Sequence, residues 1–266
     1  MTLPQFFIRL YEPHDFSAAL AAVQASAEAD GIPRIPAADF QNRLSLTNLE
    51  PGLEAADDAW VAVAPGTGVV AYADGWLVGE GANRIYRGEC WVQPSFRQRG
   101  IGRALLARQW ARAKYIAAFL SRRSGAATTI GLRAQAWQSL PAARALLESA
   151  QMAPVREFLE MTRGLAARLP NAATPPDITL RRWSERRADE ALWVAQNAGF
   201  AEHWGYQHQT YEAFAQRIET RHAEPENSTI AWAGDVIAGA CLNAFGPTAA
   251  ARLGRGRGRV NQIFVL

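Results

Sequence analysis

Hydrophobic and polar positions alternate along the first 165 residues in two patterns, one typical of strands and one typical of helices. A period of about two predicts half-buried strands, whereas apolar residues spaced three and four apart predict amphipathic helices. The predicted strands span residues 6–11, 60–64, 68–73, 84–92, 128–134 and 155–163. The predicted helices span residues 16–29, 38–46, 101–120 and 141–150, and Asp15 is positioned to cap the first of them. The longest helix has apolar residues at helical spacing: Leu106, Trp110, Ala113, Ala117 and Leu120.

The same order of elements starts again in the second half of the chain. Strands are predicted at 178–183, 229–233, 236–245 and 259–265, and helices at 185–200 and 209–221. Gly234 and Asp235 form a two-residue hairpin signal between the second and third of these strands. The segment before them is rich in alanine and proline, which is the composition of a linker. We therefore expect a domain over 1–165, a linker over 166–177 and a partial second domain over 178–266.

A strand end, a proline, an arginine- and glycine-rich turn and a long helix follow one another between residues 89 and 106. Pro94 cannot donate to a strand ladder and therefore ends the strand. The first backbone N–H groups of the helix have no partner within it and carry a partial positive charge. Gly100 and Gly102 remove side chains there, so a bulky anion can approach the backbone. Three arginines raise the positive potential further: Arg97, Arg99 and Arg103. This geometry predicts a phosphate or pyrophosphate site.

Two common phosphate motifs do not fit this turn. No Gly-Lys-Ser/Thr follows it, which excludes the Walker pattern, and Leu105 holds the third small position of the dinucleotide fingerprint. Residues 97–102, Arg-Gln-Arg-Gly-Ile-Gly, instead resemble the acyl-CoA-binding signature Gln/Arg-x-x-Gly-x-Gly/Ala of the GNAT acetyltransferase superfamily. The resemblance covers roughly residues 5–165, where the predicted order of elements is also that of the family.

The resemblance implies a fold, a cofactor and a set of contacts. The fold is α/β, of the α+β type with a mixed sheet, and the cofactor is acetyl-CoA. The pantetheine arm pairs with the backbone of the strand that ends at Val92, and the phosphates bind the turn after it. The implied cofactor-binding residues are Trp91, Val92, Arg97, Gln98, Arg99, Gly100, Ile101, Gly102 and Arg103.

Acetyl transfer to an amine needs a deprotonated nucleophile, and hence a base or a proton-carrying water. Glu89 on the central strand is the candidate base and Tyr86 a weaker one, while a purely structural or orienting role for Glu89 stays equally open. In many GNAT enzymes a tyrosine protonates the leaving thiolate, and Leu147 stands at that position here. We expect an N-acyltransferase that acts by direct attack of a small-molecule or peptide primary amine. The alternative is a non-catalytic CoA-binding regulatory or structural domain.

The second half resembles the front of another GNAT domain, as in tandem GNAT proteins related to mycothiol synthase. Val265 takes the place of Val92, and no CoA-binding turn and helix follow it, so we expect one cofactor site. The final strand then has an exposed hydrophobic edge at 263–265, which a homodimer or packing on the first domain would cover. Four polar and aromatic residues lie in the loop that borders the acceptor side in the family: His203, Trp204, Tyr206 and His208.

Composition narrows the class of protein. Of the 266 residues, 49% are hydrophobic and 20% are charged, and the formal net charge is +3, as expected of a soluble globular protein. No membrane span or export signal is visible, and we interpret Cys90 and Cys241 as reduced core residues of a cytoplasmic protein. The His and Cys residues lack metal-ligand spacing, so no metal is expected. Arginines alternate with glycines over 252–259, which we interpret as a solvated loop rather than a nucleic-acid tether, because no aromatic residues are interleaved.

Overall fold

The computed structural model describes residues 6–44, 52–79, 84–164, 166, 172–219, 223–244 and 258–266. The chain divides into two compact units, one up to Glu157 and one from Phe158 onward. Part of the predicted linker and most of the Gly-Arg run lie outside the described residues. The predicted domain limits therefore stay a prediction.

The first unit is built on a five-stranded mixed sheet in the order β1-β2-β3-β4-β5. Neighbouring strands from β1 to β4 are antiparallel, and β5 is parallel to β4. The strands are β1 (Phe7–Leu10), β2 (Ala59–Ala64), β3 (Gly68–Val78), β4 (Ile85–Val92) and β5 (Gly131–Ala134). The helices are α1 (Phe16–Ala29), α2 (Ala37–Leu44), α3 (Ile101–Ser124) and α4 (Pro141–Ser149).

Helices cover both faces of this sheet because the strands carry apolar residues on both sides. On one face α3 packs against β2, β3 and β4, with Tyr86 and Leu105 fully buried in the core. On the other face α1 and α2 pack around Tyr72, which contacts the ring of Phe40 at 4.9 Å and that of Trp91 at 6.0 Å. Successive side chains of β4 therefore point to opposite faces of the sheet, one covered by α3 and the other by α1 and α2.

The long helix α3 is bounded by two glycines in the left-handed region, Gly100 with φ of 83° and Gly125 with φ of 69°. Its buried face differs from the predicted one. Trp110 is 45% exposed, whereas the polar residues Gln109 and Arg112 are buried. Both polar side chains have partners in the sheet or beside it, and these partners make their burial tolerable.

The predicted strand at 155–163 is wrong, because no strand forms between residues 152 and 164. The apolar residues that suggested it are exposed: Val155, Phe158, Leu159 and Met161. A strand requires hydrogen bonds to a neighbouring strand, and none is paired with this segment within the described residues. The alternation of apolar residues indicates which side chains a strand could bury, but it does not indicate whether a neighbouring strand is there to accept its backbone hydrogen bonds. Cys90 departs in part from expectation, since the residue as a whole is exposed, although burial around its free thiol raises the pKa of that thiol.

The second unit contains a four-stranded antiparallel sheet in the order β6-β7-β8-β9. The strands are β6 (Thr179–Arg182), β7 (Thr229–Ala233), β8 (Val236–Ala244) and β9 (Arg259–Val265), and the helices are α5 (Asp189–Gly199) and α6 (Tyr211–Glu219). The order of strands and helices repeats that of β1 to β4. In β9, Ile263 and Val265 are exposed at 66% and 78%, while Phe264 between them is buried.

Two further properties of the described residues bear on the class of protein. None of the helices is both long enough and apolar enough to cross a membrane. Across the described ranges, no three His, Cys, Asp or Glu side chains converge in a way that would hold a metal ion.

Candidate active site

The end of β4 has one backbone edge outside the sheet. Strand β4 pairs with β3 along its whole length, but its pairing with β5 stops at Gly88. Residues 89–92 therefore have no β5 partner in the described part of the chain. Such an edge can bind an extended ligand by main-chain hydrogen bonds. Trp91 and Val92, predicted to contact the pantetheine arm, lie on this edge.

A buried glutamine fixes the strands where β4 separates from β5. The side-chain nitrogen of Gln109 in α3 donates to the backbone oxygens of Asp74 and Glu89, both at 2.8 Å. Gly88 makes room for it, because a Cβ at that position would lie 2.8 Å from the Gln109 amide carbon. No local sequence pattern singled out Gln109. The glycine inside a predicted strand was a signal that another group approaches the backbone there.

Arg97 holds the strand end to helix α1. Its guanidinium makes a two-pronged ion pair with Asp30 at 2.6 and 2.9 Å and donates to the Ser26 hydroxyl at 2.9 Å. Its Nε donates to the Val92 backbone oxygen at 3.1 Å. These bonds engage the side chain within the protein. The geometry thus gives Arg97 a positioning role, and a direct contact with the cofactor stays a prediction.

The turn before α3 presents backbone donors to solvent. Gln98 and Gly100 both have positive φ values, 61° and 83°, and a Cβ on Gly100 would meet no atom within 4 Å. The first helical bond runs from the Ala104 N–H to the Gly100 oxygen at 3.0 Å. The three N–H groups before Ala104 consequently have no acceptor within the helix. This is the backbone geometry on which the predicted anion cradle depends, and the binding of an anion there stays a prediction.

The side chains of the turn differ in what they offer to an anion. Ile101 is buried in the core, so only its backbone faces the turn. Arg99 donates to the Ser95 oxygen at 2.7 Å and lies 4.9 Å from the Phe96 ring, while Gln98 and Arg103 are exposed. The predicted contacts of these residues with the cofactor stay predictions.

Gly102 has a packing role that the sequence analysis did not foresee. A Cβ at this position would lie 3.2 Å from a methyl carbon of Leu146, so the glycine lets α4 approach the start of α3 closely. The next residue, Leu147, is half-buried and has no proton to donate. Helix α4 thus lies beside the start of α3 without supplying the proton donor that the family resemblance leads us to expect there.

Glu89 belongs to a charged cluster on the face of the sheet that α2 covers. Arg43 of α2 lies 3.0 Å from the Glu89 carboxylate and donates to both oxygens of Asp74, at 2.9 and 3.1 Å. Its guanidinium also lies 4.9 Å from the ring of Trp91 and 5.3 Å from that of Trp76. Arg43 and Asp74 are the residues that the sequence analysis missed here, because 31 positions separate them.

Burial and pairing act against each other in this cluster. Burial raises the pKa of Asp74, and the Arg43 guanidinium opposes that rise. Burial lowers the pKa of Arg43, but its two carboxylate partners outweigh burial and hold it above the ordinary value. Two carboxylates share one guanidinium, so the cluster has an excess of negative charge when both are ionised. It can therefore attract a cationic group.

The weaker base candidate lies on the opposite face of the sheet. The Tyr86 hydroxyl is fully buried and donates to Asp58 at 2.7 Å, and Asp58 in turn accepts from Arg112 at 3.0 Å. Burial, followed by the charge of Asp58, raises the pKa of Tyr86 above its ordinary range. This hydroxyl is a structural group and does not reach the Glu89 side.

The aromatic and histidine cluster of the second unit packs on α5. The Tyr206 hydroxyl donates to Asn197 at 2.7 Å, and the ring of His208 contacts Trp193 at 5.9 Å. The ring of His203 contacts Phe200 at 5.8 Å. These contacts give His203, Tyr206 and His208 packing roles, and the ring of Trp204 contacts that of Phe158 at 5.9 Å.

Comparisons with known proteins agree with this geometry. A family model described as Acetyltransferase (GNAT) family matches residues 21–128. The mycothiol acetyltransferase of Catenulispora acidiphila is 30% identical over 231 residues, which cover 85% of this chain and 68% of that protein. The mycothiol acetyltransferase of Streptosporangium roseum is 30% identical over 193 residues, which cover 72% of this chain and 50% of that protein. The chain thus spans between half and about two thirds of the length of these relatives.

Among solved structures, a GCN5-related N-acetyltransferase from Sphaerobacter thermophilus superposes with a TM-score of 0.65. The match covers 99% of this chain and 77% of that chain at 23% identity. This similarity confirms the predicted fold with its mixed sheet.

Proposed function

Because the chain belongs to the GNAT acetyltransferase family, we propose that it transfers an acetyl group from acetyl-CoA to a primary amine. Acetyl-CoA is the cofactor that this family uses. The observation that carries the proposal is the free edge of β4, which leads directly into the cradle of backbone N–H groups at the start of α3.

The residues present fit such a cofactor. The N–H groups of Ile101, Gly102 and Arg103 would bind its pyrophosphate, where the helix dipole favours negative charge. The backbone of Trp91 and Val92 would pair with the pantetheine arm along the free edge. This arrangement would bring the thioester next to Glu89 and leave the acceptor on the side that α2 covers.

Glu89 would take a proton from the acceptor ammonium, directly or through a water molecule. The resulting amine attacks the thioester carbon, so a C–N bond forms, the C–S bond breaks and a thiolate leaves, while the nitrogen, positively charged after the attack, releases its second proton to solvent. Backbone N–H groups near Val92 would stabilise the negative charge that develops on the carbonyl oxygen. Solvent would protonate the thiolate, since Leu147 cannot. The acidic pair of Glu89 and Asp74 favours a cationic acceptor, whether a small molecule or a peptide amine.

A second candidate function is a non-catalytic CoA-binding domain with a regulatory or structural role. Two observations favour it. Leu147 stands at the position of the usual general acid. The Glu89 carboxylate is already in an ion pair with the Arg43 guanidinium, at 3.0 Å. Both functions require the cradle, so they differ only in whether acetyl transfer follows binding.

Cofactor binding is tested by thermal unfolding with acetyl-CoA. A ligand at 100 times its dissociation constant that binds only the folded state stabilises it by about 2.7 kcal/mol. We expect this shift in the parent protein and its loss in Gly100→Glu. The matched control is Gly125→Glu at the other end of α3, which also has positive φ and meets no atom within 4 Å of its Cβ. Absence of a shift in the parent would contradict both functions.

Catalysis is tested by thiol release from acetyl-CoA across a panel of amines. We expect turnover by the parent and a fall of about 10² to 10⁴ in kcat for Glu89→Gln, with the acetyl-CoA thermal shift unchanged. If the parent binds acetyl-CoA but releases no thiol with any amine, the non-catalytic function is the correct one. Equal turnover by Glu89→Gln would remove this residue as the base.

A further inference from the structure

Positive charge is concentrated in one stretch of the chain. Residues 90–147 contain ten arginines and lysines and no aspartate or glutamate, whereas residues 1–89 contain five basic and twelve acidic residues. The formal net charge of the whole chain is only +3. Six of the ten basic residues lie in α3. This helix is therefore the element on which the positive charge of the first unit is gathered.

Helix α3 exposes most of these charges on one face. The residues that pack on the sheet, such as Leu105, Ala113 and Ile116, lie on the other side of the helix. Within the described ranges, none of the exposed basic side chains of α3 that we consider here is in an ion pair. These side chains, which we call the α3 face, are Arg103, Arg108, Lys114 and Arg122.

The α3 face begins at the cradle and extends well beyond it. Arg103 and Arg122 are 19 positions apart, which corresponds to about 28 Å along a helix. A pantetheine arm on the free edge of β4, with its phosphate in the cradle, would leave whatever is attached beyond that phosphate beside the first turns of α3. In CoA this is a single nucleotide, which does not extend over a face of this length. Most of the α3 face therefore has no role in binding CoA.

Two aromatic side chains next to these charges narrow the kind of anionic partner. Trp110 is 45% exposed and Tyr115 is 49% exposed. The Lys114 ammonium lies 5.3 Å from the Trp110 ring, and the Arg112 guanidinium lies 5.3 Å from the Tyr115 ring. At least one face of each ring is thus covered, which makes the rings poor platforms for stacking on bases. Exposed tryptophan, tyrosine and arginine are instead typical of protein interfaces.

A membrane surface fits this helix less well than a protein does. Helices that lie in a membrane interface bury their apolar side between the lipids. The apolar side of α3 packs on the sheet, with Leu105 and Ile116 fully buried, so it is not available for insertion. The charge and the aromatic residues together favour an acidic protein as the partner.

We propose that the α3 face binds an acidic carrier protein that presents an acetyl group on a phosphopantetheine arm. Such an arm has the same pantetheine and adjoining phosphate as CoA, so it can use the free edge of β4 and the cradle. The body of the carrier would then lie beside α3, with its carboxylates on Arg108, Lys114 and Arg122. Transfer to the amine is the reaction proposed above, with the thiolate of the arm as leaving group and solvent as the source of its proton. The inference rests on the proposed function and adds a class of acyl donor to it.

The test is binding of the full chain to an acyl carrier protein loaded with acetyl-phosphopantetheine, measured by fluorescence anisotropy. We expect saturable binding at about 0.01 M ionic strength, where the Debye length is about 30 Å, and binding about tenfold weaker or less at about 0.15 M, where it is about 8 Å. The carrier without its arm should bind about tenfold more weakly than the loaded carrier, because the edge and the cradle then stay empty. No saturable binding, or equal binding of the two carriers, would overturn the proposal.

A pair of substitutions locates the binding. Arg108→Glu with Lys114→Glu reverses two charges of the α3 face away from the cradle. We expect carrier binding to weaken about tenfold or more, with the acetyl-CoA thermal shift retained. The control, Arg34→Glu with Arg181→Glu, makes the same change of net charge at two exposed positions outside α3 and should bind the carrier like the parent.

Three results of these measurements would contradict the proposal. If both double variants bind the carrier equally well, the α3 face is not the site. If duplex DNA, or vesicles of phosphatidylserine, respond to the two α3 substitutions as the carrier does, the face recognises polyanions in general. A parent protein that gives the acetyl-CoA thermal shift but does not bind the carrier contradicts this proposal alone. Absence of the acetyl-CoA shift contradicts the proposed function, and the donor role of the carrier with it.

Discussion

Among single residues, Arg43 has the largest predicted effect on stability. Its guanidinium is the charged partner of Asp74, which is 5% exposed, so its removal would leave the buried carboxylate with the Tyr72 hydroxyl at 3.3 Å but without an opposite charge. Breaking such a pair from one side costs about 3–5 kcal/mol. We predict a loss of that size for Arg43→Met in urea unfolding.

The double variant Arg43→Met with Asp74→Leu is the control, since replacing both members of a buried pair by apolar groups is often neutral. The chain has a precedent for the leucine, because Leu242 pairs with Gln262, three positions before the end of β9, as Asp74 pairs with Glu89, three positions before the end of β4. If the single variant loses less than about 1 kcal/mol, the pair is not a buried one in solution.

Asp15 contributes to the stability of the folded state by an amount that depends on pH. Arg9 donates to both of its oxygens at 2.6 and 2.7 Å, and the Glu12 N–H donates at 2.9 Å. The bonds from Arg9, more than the others, lower the pKa of Asp15 below its ordinary value of 3.8. Asp15 lies at the predicted cap position of α1, but its side chain makes no cap hydrogen bond to that helix.

A lowered pKa means that the folded state favours the ionised carboxylate. The stabilisation is therefore present in full above about pH 4 and is lost as the pH falls through the folded-state pKa. We predict that Asp15→Asn destabilises by about 1–3 kcal/mol at pH 7 and that this difference shrinks as unfolding is measured towards pH 3. A difference that stays constant over this range would contradict the pairing with Arg9.

At the scale of elements, the crossing of α3 over β3 and β4 depends on Gln109. Without its two hydrogen bonds, the buried oxygens of Asp74 and Glu89 lose a donor, which costs about 1–3 kcal/mol. We predict that Gln109→Met, which keeps much of the volume, loses stability of this size. Because Glu89 shifts with its strand, kcat should fall more than the KM for acetyl-CoA rises. If stability falls while kcat and the KM for acetyl-CoA both stay at the values of the parent, Gln109 has a purely structural role.

The same elements show how far sequence patterns reach. Helix α1 forms over the predicted residues, because its apolar positions, its preceding turn and the following glycine all agree. The cradle was also predictable, since its physics is local to one turn. The charged cluster of Arg43, Asp74 and Glu89 was not, because its members come from three elements and no local pattern links them. For the same reason the predicted buried face of α3 included Trp110 and left out Gln109. A glutamine with two backbone acceptors can be buried, but those acceptors lie on other elements and leave no local pattern.

At the scale of the whole molecule, each unit has its own sheet and its own buried core. All residues proposed to bind acetyl-CoA lie in the first unit. We therefore predict that a fragment of residues 1–165 unfolds cooperatively and keeps the thermal shift with acetyl-CoA. A fragment of residues 166–266 should show no shift with acetyl-CoA.

These fragments separate the domain prediction from the functional one. If the first fragment unfolds cooperatively but no longer responds to acetyl-CoA, while the full chain does, the cradle needs a contribution from the second unit. If it does not fold, residues beyond 165 are part of its core and the predicted boundary is misplaced. Because the cradle, the free edge of β4 and Glu89 are all held by bonds within the first unit, we expect neither outcome.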